Sequence, residues 1–353
     1  MKFIHIADVH LGVSPEAGKA YSGERRGEIW ESFRRLIRVC KNEAPDLLLV
    51  AGDLFHRQPL LRELKEVDGL FASLERTQVV LIAGNHDYMR RDSYYRTFQW
   101  SANVHFLGSA SVEAVELPAL ETAVYGCSYH ERQIRQPLYD SAPAAGRQKR
   151  EILLAHGGDT DHIPVSREAL AGLGYDYVAL GHIHMPQVVI PGLAAYAGAL
   201  EPTDRNDTGH HGYIQGEITE DGCRFSFVPF ASREYIHCEV EVDRRTTGAG
   251  LADLIWKKIE ENGIQNMYKF LLKGYRDPDT LFDLDALDRR GNIIDIVDET
   301  KPAWDLEKLY RNNKNNLIGR YIESFSGAEK DSVEYRALFE GISALMETRR
   351  GTE

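Results

Sequence analysis

Five times within the first two hundred residues, a short continuous apolar run ends abruptly on a cluster drawn from Asp, Asn, Gly and His. Lys2 to Ile6 leads into Asp8-Val9-His10, and Leu47 to Ala51 into Gly52-Asp53-Leu54-Phe55-His56. Val79 to Ala83 leads into Gly84-Asn85-His86-Asp87, Ile152 to Ala155 into His156-Gly157-Gly158, and Tyr177 to Leu180 into Gly181-His182-Ile183-His184. A further run, Val124 to Cys127, has no such tail. Between the runs, Glu24 to Lys41 places Ile29, Trp30, Phe33, Ile37 and Cys40 at helical spacing, and Leu60 to Leu74 reads as a second helix. Strands written as unbroken apolar runs, with helices between them, predict an α/β fold whose sheet is covered on both faces. Ligands of such sheets gather beyond the carboxyl ends of the strands, which is where all five clusters fall.

Taken singly, each cluster has a plain structural reading. Gly, Asn and Asp favour turns, and two histidines spaced i, i+2 on a strand can simply pack. Five together, in this order and each at a strand end, call for a common chemistry. Hydrolysis of a phosphodiester at neutral pH needs a hydroxide and a neutralising charge for the phosphate oxygens. Two divalent cations roughly 3.5–4 Å apart provide both. Cations that close need an anionic bridge, for which one carboxylate is suited, while imidazoles and an amide oxygen complete the shells without repelling phosphate. Gly52, Gly84 and Gly181 suit the sharp turns of such loops.

In order and spacing these clusters resemble the signature of the calcineurin-like metallophosphoesterases, which implies an α/β, two-sheet sandwich flanked by helices. The resemblance assigns Asp8, His10, Asp53 and His184 to one metal and Asp53, Asn85, His156 and His182 to the other, with Asp53 as the bridge. It makes His86 the residue that contacts the scissile phosphate and protonates the leaving oxygen, oriented by Asp87. Gly-Asp-Leu-Phe-His, ending at His56, is similar to SbcD-type DNA-repair nucleases, which carry a histidine three residues after the bridging aspartate. The Gly-Asp-Tyr-Val-Asp-Arg-Gly and Gly-Asn-His-Glu strings of protein phosphatases are absent. Tyr175 to His184 also resembles these nucleases, including the bacterial YhaO group. Manganese is the metal implied, and the mixed donor set also admits iron or zinc. One departure stands out: Tyr196-Ala197-Gly198-Ala199 replaces the family's Tyr-Pro-Gly-Ser, and the loop Val13 to Gly23 follows no family pattern.

Composition alone points elsewhere. The net charge is −12, and residues 1–240 hold 24 Lys+Arg against 32 Asp+Glu, the reverse of the basic footprint of most DNA-binding proteins. Bound cations would offset part of that deficit. Arg25, Arg26, Arg57, Arg90, Arg91 and Arg205 are candidate phosphate contacts, and Tyr88, Tyr94, Tyr95 and Trp100 candidate stacking platforms, though packing of a helix on the sheet explains the rings as well. The four cysteines are scattered without a Cys-x-x-Cys pair, and no run approaches the ~20 apolar residues of a membrane helix. With no secretory leader legible, a cytoplasmic protein without a membrane partner is expected.

The catalytic domain is expected over residues 1–240. Its β-rich end pairs Tyr213 to Ile218 with Cys223 to Pro229 across Glu220-Asp221-Gly222. Residues 241–327 read as an α+β capping domain, with a helix over Gly248 to Asn262, strands over Met267 to Gly274 and Ile293 to Val297, and one or two helices over Asp305 to Ile322. Residues 328–353 form a terminal helix with Tyr335, Leu338, Phe339, Ile342, Leu345 and Met346 in one stripe, after a joint at Phe325-Ser326-Gly327. That stripe packs on its own domain, on a second copy in a homodimer, or, as the resemblance implies, on the coiled coil of an SbcC-type ATPase. The leading functional expectation is a DNA exonuclease or endonuclease of repair, in which a hydroxide activated by two metals attacks phosphorus. A nucleotide phosphodiesterase or phosphatase, and a non-catalytic scaffold for DNA ends or an ATPase, are the alternatives. Seven ligand positions filled with competent residues weigh against the scaffold.

Overall fold

A computed structural model describes residues 1–16, 21–329 and 332–350, and it divides into two units, Met1–Ile236 and His237–Glu353. The loop Val13 to Gly23 is described only in part. Residues 17–20 lie outside the described residues, and Ser22 and Gly23 already belong to the first helix.

In the first unit, β1 (Lys2–Ile6), β2 (Leu47–Ala51), β3 (Gln78–Ile82) and β4 (Val104–Phe106) pair in parallel. Helices α1 (Ser22–Glu43) and α2 (Leu61–Ala72) make the first two crossovers. A second sheet holds β5 (Glu113–Leu117), β6 (Thr122–Gly126), β7 (Arg150–His156), β8 (Tyr177–Gly181), β9 (Gln187–Ile190) and β10 (Ala194–Tyr196), with α3 (Arg167–Gly172) between β7 and β8. Its order is β5-β6-β7-β8-β10-β9, and β6, β7 and β8 run parallel. The expected hairpin, β11 (Gly212–Thr219) and β12 (Gly222–Pro229), returns to the first sheet beside β1, giving the order β12-β11-β1-β2-β3-β4. The result is the two-sheet sandwich flanked by helices that the resemblance implied.

The period-2 alternation of each strand explains why its run is apolar throughout. On β2, Leu47, Leu49 and Ala51 face the second sheet, where they pack with Phe3, Ile82, Ile152, Leu154 and Ala179. Leu48 and Val50 face the other way, into a layer with Ile29, Phe33 and Ile37 of α1 and Leu64, Val67 and Phe71 of α2. The outer face of the second sheet buries Leu153, Ala155, Val178 and Leu180 with Leu170 of α3. Two-sided burial leaves the strand ends as the place where polar side chains can emerge. The carboxyl ends of β1, β2, β3, β7 and β8 meet there.

The second unit is a separate α+β body. It begins within β13 (Tyr235–Val242) and continues through α4 (Gly248–Asn262), β14 (Met267–Arg276), β15 (Ile293–Asp298) and β16 (Lys301–Pro302) to α5 (Leu306–Asn313), α6 (Leu317–Ser324) and α7 (Val333–Arg350). Helix α4 buries Leu251, Ile255 and Ile259, and Tyr268 of β14 donates its hydroxyl to the carbonyl at the helix end, Gly263, at 2.7 Å. The stripe of α7 is covered in part within this unit: Leu338 and Ile342 are buried, Tyr321 donates to the Ala337 carbonyl at 2.8 Å and Trp304 donates to Ser343 at 3.0 Å, while Tyr335, Phe339, Leu345 and Met346 are half-buried. Packing on its own unit accounts for Leu338 and Ile342. No helix among the described residues is long and apolar enough to cross a membrane, and all four cysteines are free thiols.

Candidate metal centre

The loops leaving β1 and β2 are laced together by backbone hydrogen bonds: Asp8 N–H to Gly52 carbonyl, His10 to Asp53, and Leu11 to Leu54, at 2.9–3.2 Å. This lacing drives side chains of both loops to one side. It also holds Asp8 (φ 49°), His10 (φ 50°) and Asp53 (φ 49°) in the left-handed region, and His182 has φ 96°. Such conformations cost on the order of 1–3 kcal/mol each for residues with a Cβ and persist where the surroundings over-determine them. Four of the seven expected ligands are therefore held in strained backbone at one point of the fold.

All seven come together. Asp8, His10 and His184 offer donor atoms within 4.8 Å of one another, and so do Asp8, Asp53 and His156. The Asp53 carboxylate lies between the groups, its Oδ2 at 3.9 Å from His10 Nε2 and 3.5 Å from His156 Nε2. Its Oδ1 accepts the His86 N–H at 2.8 Å. Asn85 Oδ1 faces His156 Nε2 at 2.9 Å and His182 Nδ1 at 3.2 Å.

The outward nitrogens identify which atoms point inward as lone pairs. His156 Nδ1 sits 2.9 Å from the Ala51 carbonyl, which can only accept, so Nδ1 keeps its proton and Nε2, facing Asp53 and Asn85, is the nitrogen that a cation would bind in place of a proton. His184 Nδ1 lies 3.0 Å from the Asp207 carboxylate, leaving its Nε2 directed at His10 Nε2, 3.1 Å away. His182 Nε2 lies 2.8 Å from Asp159, leaving Nδ1 toward Asn85. Three imidazole lone pairs, two carboxylates and an amide oxygen converging in a buried pocket form a donor set matched to hard or borderline divalent cations. The residues present thus fit such ions.

The electrostatics carry the same signature. Burial alone would lower His156, yet the facing Asp53 carboxylate raises it to about 9. His184 is likewise raised to about 9 against its burial, by the hydrogen bond to Asp207 and the charge of Asp8. Asp8 is pushed up to about 6 by burial, while Asp53 is held far below the usual carboxylate range, despite its burial, by His156 and its neighbours. Burial drives His10 well down and His182 to about 4. Protons on His156 and His184 thus balance the buried carboxylates, and cations entering the pocket take their place.

Glycine is required where these groups meet. A Cβ on Gly84 would collide with Asp53 Oδ1 and His156 Nε2, and Gly52 (φ 84°) abuts the same imidazole.

His86 stands at the edge of the cluster, its ring centroid 4.8 Å from that of His10 and 5.0 Å from that of His56. The expectation for Asp87 needs correction. Its carboxylate is buried and accepts from Gly84 N–H (2.8 Å), Phe55 N–H (3.1 Å) and the Tyr95 hydroxyl (2.9 Å), with no hydrogen bond to the His86 ring. Asp87 folds the loop after β3, and the His56 carbonyl, 3.3 Å from His86 Nδ1, faces the imidazole instead. His56 Nδ1 lies 3.4 Å from His10 Nδ1.

Other expectations change as well. Arg25 is buried in ion pairs with Glu28 (2.6 Å) and Glu201 (3.0 Å), so it is no phosphate contact. Arg57 pairs with Glu63, Arg90 with Asp92 and Arg205 with Glu16. Tyr95 is buried and stacks on Phe106 at 4.9 Å beside Trp100, a packing role. The altered segment Tyr196 to Ala199 is held by backbone atoms, with Ala199 N–H donating to His184 at 2.9 Å and Ala197 N–H to Leu180 at 3.3 Å.

Asp159, His162 and Asp207 escaped the sequence reading. The spacing His156-x-x-Asp159-x-x-His162 was visible, but nothing in the sequence indicates that Asp207, in a loop beyond β10, folds back to His184.

Residues 1–186 match the family described as calcineurin-like phosphoesterase. The chain is 27% identical over 302 residues to the "Uncharacterized metallophosphoesterase YhaO" of Bacillus subtilis, covering 78% of this chain and 72% of that protein. It is 28% identical over 254 residues to the "DNA double-strand break repair protein Mre11" of Methanocaldococcus jannaschii, 68% of this chain and 66% of that one. The protein of the same description from Aeropyrum pernix is 29% identical over 226 residues, 57% of this chain and 54% of the relative.

Proposed function

Because the chain belongs to the family of calcineurin-like phosphoesterases, we propose that this metal-dependent phosphoesterase is a nuclease that hydrolyses DNA phosphodiesters in repair. The observation that carries the reading is the convergence of His156 Nε2, His182 Nδ1 and His184 Nε2 on Asp8, Asp53 and Asn85, each imidazole held by an acceptor at its outer nitrogen. Similarity to two archaeal break-repair proteins named Mre11 supports DNA as the substrate.

When bound, two divalent cations generate a nucleophile from water at neutral pH and offset charge on the phosphate oxygens. Asp8, His10, Asp53 and His184 would hold one, and Asp53, Asn85, His156 and His182 the other, with manganese the expected metal. The chain's own chemistry is proton transfer. His86 Nδ1–H faces the His56 carbonyl and stays protonated, so His86 acts as general acid in its imidazolium form, Nε2–H passing the second proton to the leaving oxygen and leaving a neutral ring. His56, beside both His10 and His86, is placed to hold a non-bridging phosphate oxygen.

One observation favours a smaller substrate. Four of the six arginines nearest these loops in sequence are engaged in ion pairs with carboxylates, so part of their charge is already neutralised before a nucleic-acid backbone arrives. Digestion of labelled single- and double-stranded DNA beside a panel of nucleotide phosphodiesters, with manganese supplied, decides between the two. Cleavage of DNA is expected. Turnover of the small diesters alone would replace the nuclease reading with the second one. An SbcC-type ATPase remains the expected partner, and the half-buried part of the α7 stripe, Tyr335, Phe339, Leu345 and Met346, is the surface proposed to meet it.

A further inference from the structure

We infer that Asp159 is a positioning residue for His182, clamped from outside the metal centre so that His182 presents its Nδ1 lone pair to one of the two cations. The inference rests on the metal-centre reading above and adds a residue to it.

His156 closes β7, and the chain then turns through Gly157 (φ 146°) and Gly158 (φ 140°), the Gly158 N–H donating to the His162 carbonyl at 2.9 Å. That tight loop puts Asp159 against the face of the site opposite Asn85. Asp159 Oδ1 accepts the backbone N–H groups of Asp161 (2.8 Å) and His162 (2.9 Å), so the carboxylate cannot swing. Its Oδ2 faces His182 Nε2 at 2.8 Å, and His162 Nδ1 lies 2.9 Å from both oxygens. The His162 ring lies against that of His182, centroids 4.5 Å apart. His182 is thus bounded on three sides: Asn85 at Nδ1, Asp159 at Nε2 and His162 along its face.

An ionised carboxylate can only accept, so it selects the tautomer of His182 with the proton on Nε2. It also makes Nδ1 a stronger donor, the usual effect of a carboxylate behind a metal-binding histidine. One short loop therefore delivers His156 and restrains His182, which reaches the site from a different strand. Without Asp159, His182 would present Nδ1–H as readily as a lone pair.

The alternative use of these three residues is as an outer cation site, since their donor atoms lie within 4.8 Å of one another. Each nitrogen is already at hydrogen-bonding distance from the carboxylate, and Oδ1 is occupied by two backbone donors, so the cluster is closed upon itself.

The test uses the full chain and the variants Asp159→Ala, Asp159→Asn and His162→Ala. Long-range nitrogen–proton NMR on the metal-free protein reads the His182 tautomer, and calorimetric titration with Mn2+ reads stoichiometry and affinity. The wild type should show the proton on Nε2 and two equivalents of Mn2+. Asp159→Ala should lose that tautomer preference and weaken one of the two binding steps by about 10–100-fold. Asp159→Asn, whose amide oxygen still accepts, should keep the tautomer and weaken binding less. A wild-type His182 protonated on Nδ1, or unchanged Mn2+ affinities in Asp159→Ala, overturns the inference. So does a third equivalent of metal that disappears in His162→Ala. A wild type binding fewer than two equivalents defeats the metal-centre reading instead, and the tautomer then still reports on Asp159.

Discussion

The imidazole of His156, last residue of β7, donates its Nδ1–H to the carbonyl of Ala51, last residue of β2, at 2.9 Å across the gap between the two sheets. The side chain of one sheet is thereby aimed by the backbone of the other. Packing between the sheets and the geometry of the site are the same structural fact.

Gly84 lies in that seam, and Gly84→Ala is expected to disrupt it. The added methyl would collide with Asp53 Oδ1 and His156 Nε2. Overpacking of this kind costs about 1–3 kcal/mol, so the variant should fold with a lowered urea midpoint and fail to hold two metals. Full metal content and normal phosphodiesterase activity in Gly84→Ala would show that the seam is looser than described.

Asp53→Asn should remove a carboxylate that lies between His10 of one ligand group and His156 of the other. Metal content, measured on the purified protein, should drop below two ions. Turnover should fall by more than the ~10–100-fold that loss of a supporting residue costs. Two retained ions with normal turnover would refute the bridging role.

His86→Ala should separate chemistry from binding. Both metals should stay, because no inward-facing donor is lost, while turnover drops about 10²–10⁴-fold as expected for a proton donor. A nitrophenyl phosphodiester, whose leaving group needs no proton, should suffer less. Loss of metal would make His86 a ligand.

His5, whose side chain meets Tyr177 rather than the ligands, supplies a pH test. It lies on β1 between the sheets, 2.9 Å from the Tyr177 hydroxyl, and burial lowers its imidazole from 6.5 to about 3. Between those values the unfolded chain binds a proton that the folded chain refuses. The contribution of His5 to stability is therefore complete above pH 6.5 and lost as pH falls toward 3. Urea unfolding of metal-free protein should steepen in pH over that window by up to ~1.4 kcal/mol per unit. His5→Gln, which keeps a polar partner for Tyr177 but cannot titrate, should show a shallower slope, and identical slopes would dismiss the assignment.

Ile342→Ala probes the terminal helix. Ile342 is fully buried in the second unit, and removing such a side chain costs about 2–5 kcal/mol. The second unit should melt earlier while the metal content of the first is unchanged. An unaltered melt would show that Ile342 does not anchor α7 to the second unit.

The strands β1, β2, β7 and β8 and the helix α4 were legible within a residue or two because burial on both faces, or an amphipathic stripe, writes itself into short contiguous stretches. So was the clustering of Asp8, His10, Asp53, Asn85, His156, His182 and His184, since each stands at or just after a strand whose end is visible. The three-residue strands β4 and β10 were not legible, being too short to carry a period. The partition into two sheets came from the resemblance, and no local pattern distinguishes it from one sheet. Asp87 was misjudged because adjacency in sequence to His86 says nothing of direction: its carboxylate turns to Gly84, Phe55 and Tyr95, each placed by a different segment. Asp159 and Asp207 reach their histidines across 23 residues each, and Arg25 reaches Glu201 across 176. The sequence by itself determined which residue types stand at the strand ends. Which nitrogen of each histidine carries its proton, and hence which atoms face a cation, was decided only when acceptors distant along the chain were folded against them.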